Sequence, residues 1–522
     1  VLFRRAAPQR AGHLKKVVLL AITGLMMFVG FPVISCMLAP GSSATSGETI
    51  SDLIAALPYG GTITLEAKLY DIGAGFSVPD NIRIIGQGAT TVLRAGAMPR
   101  ATITVPTAVG GVTVSVDDAT GFKADLSVMP YSHQKYGIYK IKSVSGNVLN
   151  LSTPLKAIYP AGAGITGMST AISIEGSNVE LANFTLEGNR ENRLGGIPLI
   201  YNGFFDGSNE GDGYKDGAIN IGYKVSTDSV YIHDLTIQNT SADGIRGQAT
   251  TGIHHGSWYL HRIKYVNIGD KAALFRSSTS NPGTIDYVEI LGGSIDGTGK
   301  HEQNDRSAGK ASWGDGIQGH TFSPTSMYIG YIIINDTARS GIWVMASNNT
   351  SGHLTIENVT VTNWGQKQFG NESQIDVSGI LINRPGMVRF NHLNGGFTQS
   401  NPRQDRNYGI RVVAITSDTA TVVQGNEIRN FWSTVNTPGL MFQQVKNGFV
   451  LDNFIDEGKL GIYFIENRNV IASGNNLSYL NMVFGNGGIY RGIYKDNIVK
   501  SVVIENPAKI RDNTVIEGNL TP

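Results

Sequence analysis

The sequence predicts an all-β chain wound into a solenoid, a parallel β-helix, and three observations predict it. A short phrase closes run after run of Val, Ile and Leu: Ala242-Asp243-Gly244-Ile245, Gly314-Asp315-Gly316-Ile317, Ser340-Gly341-Ile342, Ser378-Gly379-Ile380, Tyr408-Gly409-Ile410 and Leu460-Gly461-Ile462. The closest copies lie about 25 to 30 residues apart, the period of one solenoid coil. Before each copy the pattern alternates at period two, as in Ser229 to Asn239, which reads as strands with Val, Ile and Leu inward and Tyr, His, Thr and Gln outward. Composition agrees: 65 of 522 residues are glycine and only 16% are charged, against an ordinary share of about 7% and about a quarter. The glycine that restarts each strand is expected to supply a positive φ at the corner.

A chain of this length ordinarily divides into roughly three or four domains, yet the repeat runs from about residue 170 to the end with no Pro/Ser linker. One elongated body fits better. A net charge of +1 excludes a general affinity for nucleic acid or anionic membranes, so a charged partner has to be met locally.

The elements follow in order. Arg4, Arg5, Arg10, Lys15 and Lys16 precede the apolar run Val17 to Phe31, the pattern of an export signal. Residues 1–40 therefore read as a signal peptide, a lipoprotein signal, or an uncleaved anchor, since about twenty apolar residues just span a bilayer. The single cysteine of the chain, Cys36, ends Val33-Ile34-Ser35-Cys36, which resembles the bacterial lipoprotein processing box and makes Cys36 the candidate lipidation site. With no second cysteine there is no internal disulfide. The expected address is the periplasm, an outer-membrane tether or the medium, and the only membrane contact expected is through this N-terminal anchor. On expression in a bacterium, Cys36→Ser is expected to abolish acyl labelling and to move the protein out of the detergent phase; labelling that persists in the variant rules the box out.

Residues 48–100 read as a cap and first coils, opening with an amphipathic helix over Thr49 to Leu57, because an open solenoid end exposes unpaired strand edges. Residues 101–167 break the rhythm with Val112 to Val116, Gly137 to Lys142 and Val148 to Leu151, a small inserted β-module. The main helix occupies 168–522, roughly a dozen coils once loop insertions are removed. Four polar, Gly-rich stretches interrupt it, Asn189 to Lys215, Asp296 to Ser312, Gly365 to Ser373 and Thr398 to Asn407. Long loops on a rigid scaffold are where function usually sits.

The phrase Phe184 to Asn192, the Asp-Gly-Ile repeats and the inserted module together resemble the pectin-lyase-like superfamily of right-handed parallel β-helices, which includes pectate lyases, polygalacturonases, mannuronan epimerases and tailspike depolymerases. The resemblance implies the fold over most of residues 48 to 520, and one fold hosts many activities. Polygalacturonases carry catalytic aspartates in Asn-Thr-Asp-Gly and, one coil later, in Gly-Asp-Asp-Cys. Here Ser241-Ala242-Asp243-Gly244 is followed by Gly269-Asp270-Lys271, so Asp243 and Asp270 match and Lys271 replaces the second acid. Gly319-His320-Thr321 departs from that family's Gly-His-Gly, and Arg262-Ile263-Lys264 stands too early to be its Arg-Ile-Lys.

Equivalent positions of adjacent coils lie about 5 Å apart, so Asp243, Asp270 and Asp315 are expected in one acidic column. Crowded carboxylates split their pKa values and supply an acid and a base from one residue type, which suits glycoside hydrolysis. The competing structural role is an aspartate capping the turn before a corner glycine. Arg246, Lys271 and Arg276 follow the same corners and can neutralise a uronate or, as Lys271 or Arg276, take its C5 proton. They can equally pair with the aspartates. His301 and His320 are expected near the cleft, in no metal-like spacing. Trp258, Tyr259, Trp313, Trp343, Trp364 and Trp432 are candidates for stacking on sugars, with Arg246, His301, Trp313 and Trp343 the expected substrate-binding set; each aromatic can instead be a ladder residue. No cofactor is expected; calcium is the one metal considered, at Asp206, Glu210, Asp212 and Asp216, whose spacing fits no EF-hand. The expected function is an exported carbohydrate-active protein, monomer or homotrimer, that cleaves or modifies a polysaccharide in a groove along the solenoid. Hydrolysis stands ahead of elimination or epimerisation because carboxylates outnumber any complete base-plus-calcium set. The rival class is a non-catalytic β-helix that binds or exports a polysaccharide or serves as an adhesin.

Overall fold

The computed structural model describes residues 42–43 and 49–519, apart from 133–134, 195–203, 206–216, 224, 250–251, 278–282, 300–313, 321–324, 346–351, 367–376, 403–405, 479, 486 and 512–513. Each coil contributes strands to three ladders. Ile245–Ala249 lies in the first; His254–Ile268 runs through the second and third, bending at Arg262 with φ +52°; Ala273–Ser277 returns to the first beside Ile245–Ala249. The first ladder is a 13-stranded parallel sheet from Phe76–Val78 to Val502–Ile504, and the other two merge into a 24-stranded sheet. This is the expected parallel β-helix.

Alternation along the strands decides what is inside. In the first ladder Ile245, Ala273, Ile317, Ile342, Ile380 and Ile410 are in register and buried. Two residues on, Phe442, Phe464 and Phe484 form an aromatic ladder with centroids 6.3 and 5.6 Å apart. At about 25 cal/mol per Å² of apolar surface removed from water, such columns are the main stabilising term.

The glycine repeat has a different cause from the one expected. Gly341, Gly379 and Gly409 are absent from the positive-φ residues. They lack room: a Cβ at Gly341 would meet Val361 Cγ1 at 2.4 Å, at Gly379 Leu393 Cδ2 at 2.5 Å, and at Gly409 Ile428 Cγ2 at 2.2 Å. The third ladder packs against the glycine column, and a side chain there would push the two apart. Positive φ falls elsewhere, on other glycines and on Asn and Asp, as at Asn239, Asn267, Asp336, Asn363 and Asn430 after the third ladder, residues whose short polar side chains tolerate that conformation.

The helix Ile50–Ala55 caps the first coils, with Thr49 and Asp52 forming a reciprocal capping box and Ile50, Leu53 and Ile54 buried. The inserted module is an antiparallel sheet built from strands including Thr113–Ser115, Ser127–Tyr131, Tyr139–Ser145 and Val148–Leu151, with a core of its own. After it Ile172–Ile174 pairs directly with Phe76–Val78, so the insertion leaves the solenoid register intact.

Candidate active site

Register at the head of the first ladder places the charged residues. Ile245 pairs with Ala273, Ala273 with Ile317 and Ile317 with Ile342. Counting back two positions aligns Asp243, Lys271, Asp315 and Ser340. The column is therefore acid, base, acid, and Lys271 takes the middle place expected for Asp270, which lies one residue earlier in its turn. The next coils continue with Ser378, then Tyr408.

The carboxylates are tied to this corner. Asp243 Oδ1 accepts the Lys271 amide at 3.2 Å, and Asp315 Oδ1 accepts the Ser340 amide at 2.9 Å, so each braces the following coil. Lys271 Nζ lies 2.7 Å from Asp270 Oδ2 and 3.9 Å from Asp243 Oδ1, and Arg246 Nη1 lies 3.6 Å from Asp243 Oδ2. Asp243 and Asp315 are buried at 2% and 0% exposure, while the Asp270 side chain keeps 18%. Asp270 Oδ1 and Asp315 Oδ2 are buried without a hydrogen-bond partner among the described residues. Burial pushes the Asp315 carboxyl up to about 6, with Arg339, the Ser340 amide and Lys271 opposing the rise and Asp270 adding to it. Burial also raises Asp243, against Lys271 and Arg246 and with Asp270.

Beyond the corner, the positions that alternate with the apolar column form two rows. Arg246, Leu274, Gln318 and Trp343 are in register at 4–6% exposure, and Gln248, at 2%, and Arg276 follow two residues on. Arg246 Nε donates to Gln248 Oε1 at 3.2 Å, and the Arg339 guanidinium sits 3.7 Å from the Trp343 ring centroid. The strand Ile317–His320 thus brings His320 beside Arg276 in the ladder. Cys36, His301, Trp313 and the acidic loop 206–216 lie outside the described residues. Trp258 and Trp364 are fully buried in the core, and Trp343, itself buried, is covered by the Arg339 guanidinium, so none of the three presents a face to a sugar; Arg246 is likewise buried rather than open to substrate. Nothing in the sequence marks Gln248 or Arg339, whereas the residue after each Gly-Ile alternates away from the apolar column, a signal that selects Arg246, Gln318 and Trp343. Among the described residues no three His, Cys, Asp or Glu gather as metal ligands, and no helix is long and apolar enough to cross a membrane.

No protein-family model and no curated protein matches the chain. Among solved structures, it is similar to the A-module of the Azotobacter vinelandii mannuronan C-5 epimerase AlgE6, at 13% identity over 91% of this chain and 94% of that one, with a TM-score of 0.38. The catalytic domain of a GH87 α-1,3-glucanase solved with tetrasaccharides gives 12% identity over 92% and 68%, TM-score 0.36. The Pseudomonas phage phi297 tailspike gp61 gives 11% over 86% and 72%, TM-score 0.30. The fold itself rests on the strand pairings of this chain, which define a parallel β-helix of the kind its sequence resembles.

Proposed function

We propose that the protein hydrolyses a polysaccharide at the corner before the first ladder, where the Asp270 side chain keeps 18% of its exposure, with Asp270 and Asp315 as its reacting carboxyl groups. One observation carries this reading. Among the described residues the corner column carries buried charge only on three consecutive coils, at Asp243, Lys271 and Asp315; it continues as Ser340 and Ser378, and its one later charge, Lys500, is exposed. Serine turns the same corner, so capping alone does not require charge. Burying ions costs several kcal/mol each unless attraction repays it, and a chain that accepts this cost at one place has a use for the charges there.

The chemistry follows from the unequal environments of the acids. Asp315 holds its proton up to about pH 6, as a donor to a leaving glycosidic oxygen must. Asp270, the most exposed of the three, bonds the Lys271 ammonium and supports attack by water or by its own carboxylate on the sugar. Lys271 is engaged by Asp270 and Asp243, which argues against it as the free base of an elimination. A second reading, glycan binding without turnover, draws on the backbone amides that Asp243 and Asp315 accept.

The full chain incubated with bacterial and plant polysaccharides separates these readings when reducing ends and unsaturated-product absorbance are followed together. Reducing ends alone are expected, and Asp270→Asn is expected to lower their release about a hundredfold or more, the scale of a lost acid or base. Both signals together would indicate a lyase, and binding with neither signal the non-catalytic reading.

A further inference from the structure

The outward face of the second ladder carries a band of aromatic side chains that the proposed hydrolysis does not use. Tyr231 and Tyr259 are in register on adjacent strands, Tyr259 is followed by Glu289 and then Tyr328, and Tyr287 pairs with Ser257 and Ser326 two positions earlier. Ring centroids lie 6.3 Å apart for Tyr231 and Tyr259 and 6.0 Å for Tyr259 and Tyr287. The polar ends are locked from beneath: the Tyr231 hydroxyl bonds His261 Nδ1 at 3.1 Å, and His261 Nε2 bonds Glu289 Oε1 at 2.7 Å. Glu289 Oε2 accepts the Tyr287 hydroxyl at 2.7 Å, and Glu357 accepts Tyr328 at 2.9 Å and Arg389 at 2.5 Å. These are half-buried rings held in fixed orientations on a rigid sheet.

The corner beside this face gives the second, independent observation. Among the described residues its coils turn through a left-handed residue, which is Asn183, Asp234, Arg262, Asn358, Asp452 or Asp496, or glycine at Gly292, Gly425 and Gly474; Arg262 is held there by its two bonds to Asp234 at 2.7 Å. In two coils it is an aromatic residue, Tyr331 at φ +56° and Phe390 at φ +55°. A bulky residue in that region is a strained outlier. Burial does not compensate, because Tyr331 and Phe390 are 59% and 51% exposed. Room is nevertheless made for Phe390: a Cβ at Gly425, the same corner one coil later, would meet Phe390 Cδ1 at 2.7 Å. Strain accepted to hold an exposed ring at a chosen place points to a ligand for the ring.

We propose that Tyr231, Tyr259, Tyr287, Tyr328, Tyr331 and Phe390 form a docking track for a neutral, hydroxyl-rich polysaccharide chain, running along the solenoid axis on a different ladder from the acidic corner. The six residues span six coils, which at the strand spacing is about 24 Å. Sugar rings present flat C–H faces to aromatic faces and hydroxyls to polar tips, the mixed surface that Tyr provides. Charge selects the neutral polymer. Glu180, Asp234 and Glu357 are paired with Arg83, Arg262 and Arg389, while Glu289 bonds His261 Nε2 and the Tyr287 hydroxyl, so the carboxylates of this face are compensated at three places and repel a polyanion at the fourth.

Tyr331→Asn with Phe390→Asn tests the track without threatening the fold, because Asn already occupies this corner at Asn358 and relieves the strain. Affinity electrophoresis of the full chain in gels containing hydroxyethylcellulose, glucomannan, dextran or alginate reads docking directly. The parent is expected to be retarded by at least one of the three neutral polymers, and the double variant to bind it at least tenfold more weakly while melting at the same or a higher temperature. Asp270→Asn is expected to be retarded like the parent, which keeps docking separate from turnover. Equal retardation of parent and double variant, or retardation of the parent by alginate alone or by no polymer, overturns the track. So does sedimentation in which the parent self-associates and the double variant does not, which would make a second copy of the chain the occupant.

Discussion

Asp315→Asn is expected to leave a better-folded and inactive protein. The asparagine Oδ1 can still accept the Ser340 amide that Asp315 accepts at 2.9 Å, so the corner keeps its brace. What disappears is a fully buried carboxyl whose second oxygen has no partner among the described residues. Its folded pKa of about 6 lies above the ordinary 3.8. The folded protein therefore binds this proton more tightly than the unfolded chain does, and the stability it contributes is complete below about pH 4 and lost as pH rises through about 6. Two pKa units correspond to about 3 kcal/mol. The variant lacks this dependence, so chemical denaturation should find it equal to the parent near pH 4 and more stable by up to about 3 kcal/mol at pH 8. Turnover should fall about a hundredfold or more, since an amide donates no acidic proton, and parent activity should decline above about pH 6 as the donor ionises. A variant both more stable and fully active would make the Asp315 carboxyl dispensable and return the column to corner capping.

The features that were legible in the sequence are those written at a fixed short period. Alternation such as Val230, Tyr231, Ile232, His233 appears as buried, half-buried, buried, half-buried, because a strand turns every second side chain to the same side whatever surrounds it. The glycine repeat was visible for the same reason, but its cause was not, since nothing local distinguishes a glycine needed for its φ from one needed for the space that Val361 or Ile428 occupies a ladder away. The acidic column was half legible. Asp243 and Asp315 stand directly before Gly-Ile and fall where that phrase puts them, whereas the turn before Ala273 carries Lys271 at the equivalent position and moves Asp270 outward. Tyr331 and Phe390 are not legible as corners because a bulky residue after a strand looks like more strand. Only the backbone reveals that each occupies a left-handed corner.

The same corner holds what the sequence concealed most fully, a buried asparagine ladder, and Asn453→Leu is expected to break the solenoid there. Asn391, Asn426, Asn453, Asn475 and Asn497 stack one per coil, each amide Nδ2 donating to the next Oδ1 at 2.8 to 2.9 Å. Their sequence separations run from 35 to 22 residues as loops shorten, so no fixed period betrays them. Asn453 Oδ1 accepts both the amide and Nδ2 of Asn426, and its own Nδ2 donates to Val423 O at 3.0 Å and to Asn475 Oδ1 at 2.9 Å. Leucine has nearly the right size but makes none of these bonds, leaving at least the Asn426 amide and the Val423 carbonyl buried and unsatisfied. At about 1–3 kcal/mol for each orphaned group, the loss is about 2–6 kcal/mol. A solenoid is stabilised coil against neighbouring coil, so the coils after Asn453 should detach first and denaturant unfolding should split into two transitions. Asn447→Leu is the matched control: Asn447 also joins adjacent coils, through Asn469 and the Asp418 carbonyl at 3.0 Å each, but it is only half-buried and both bonds are open to solvent, so water replaces what leucine removes and the cost stays well below that of Asn453→Leu. If both variants unfold in one transition at the parent's midpoint, the stacked apolar columns hold the coils together without help from the asparagines.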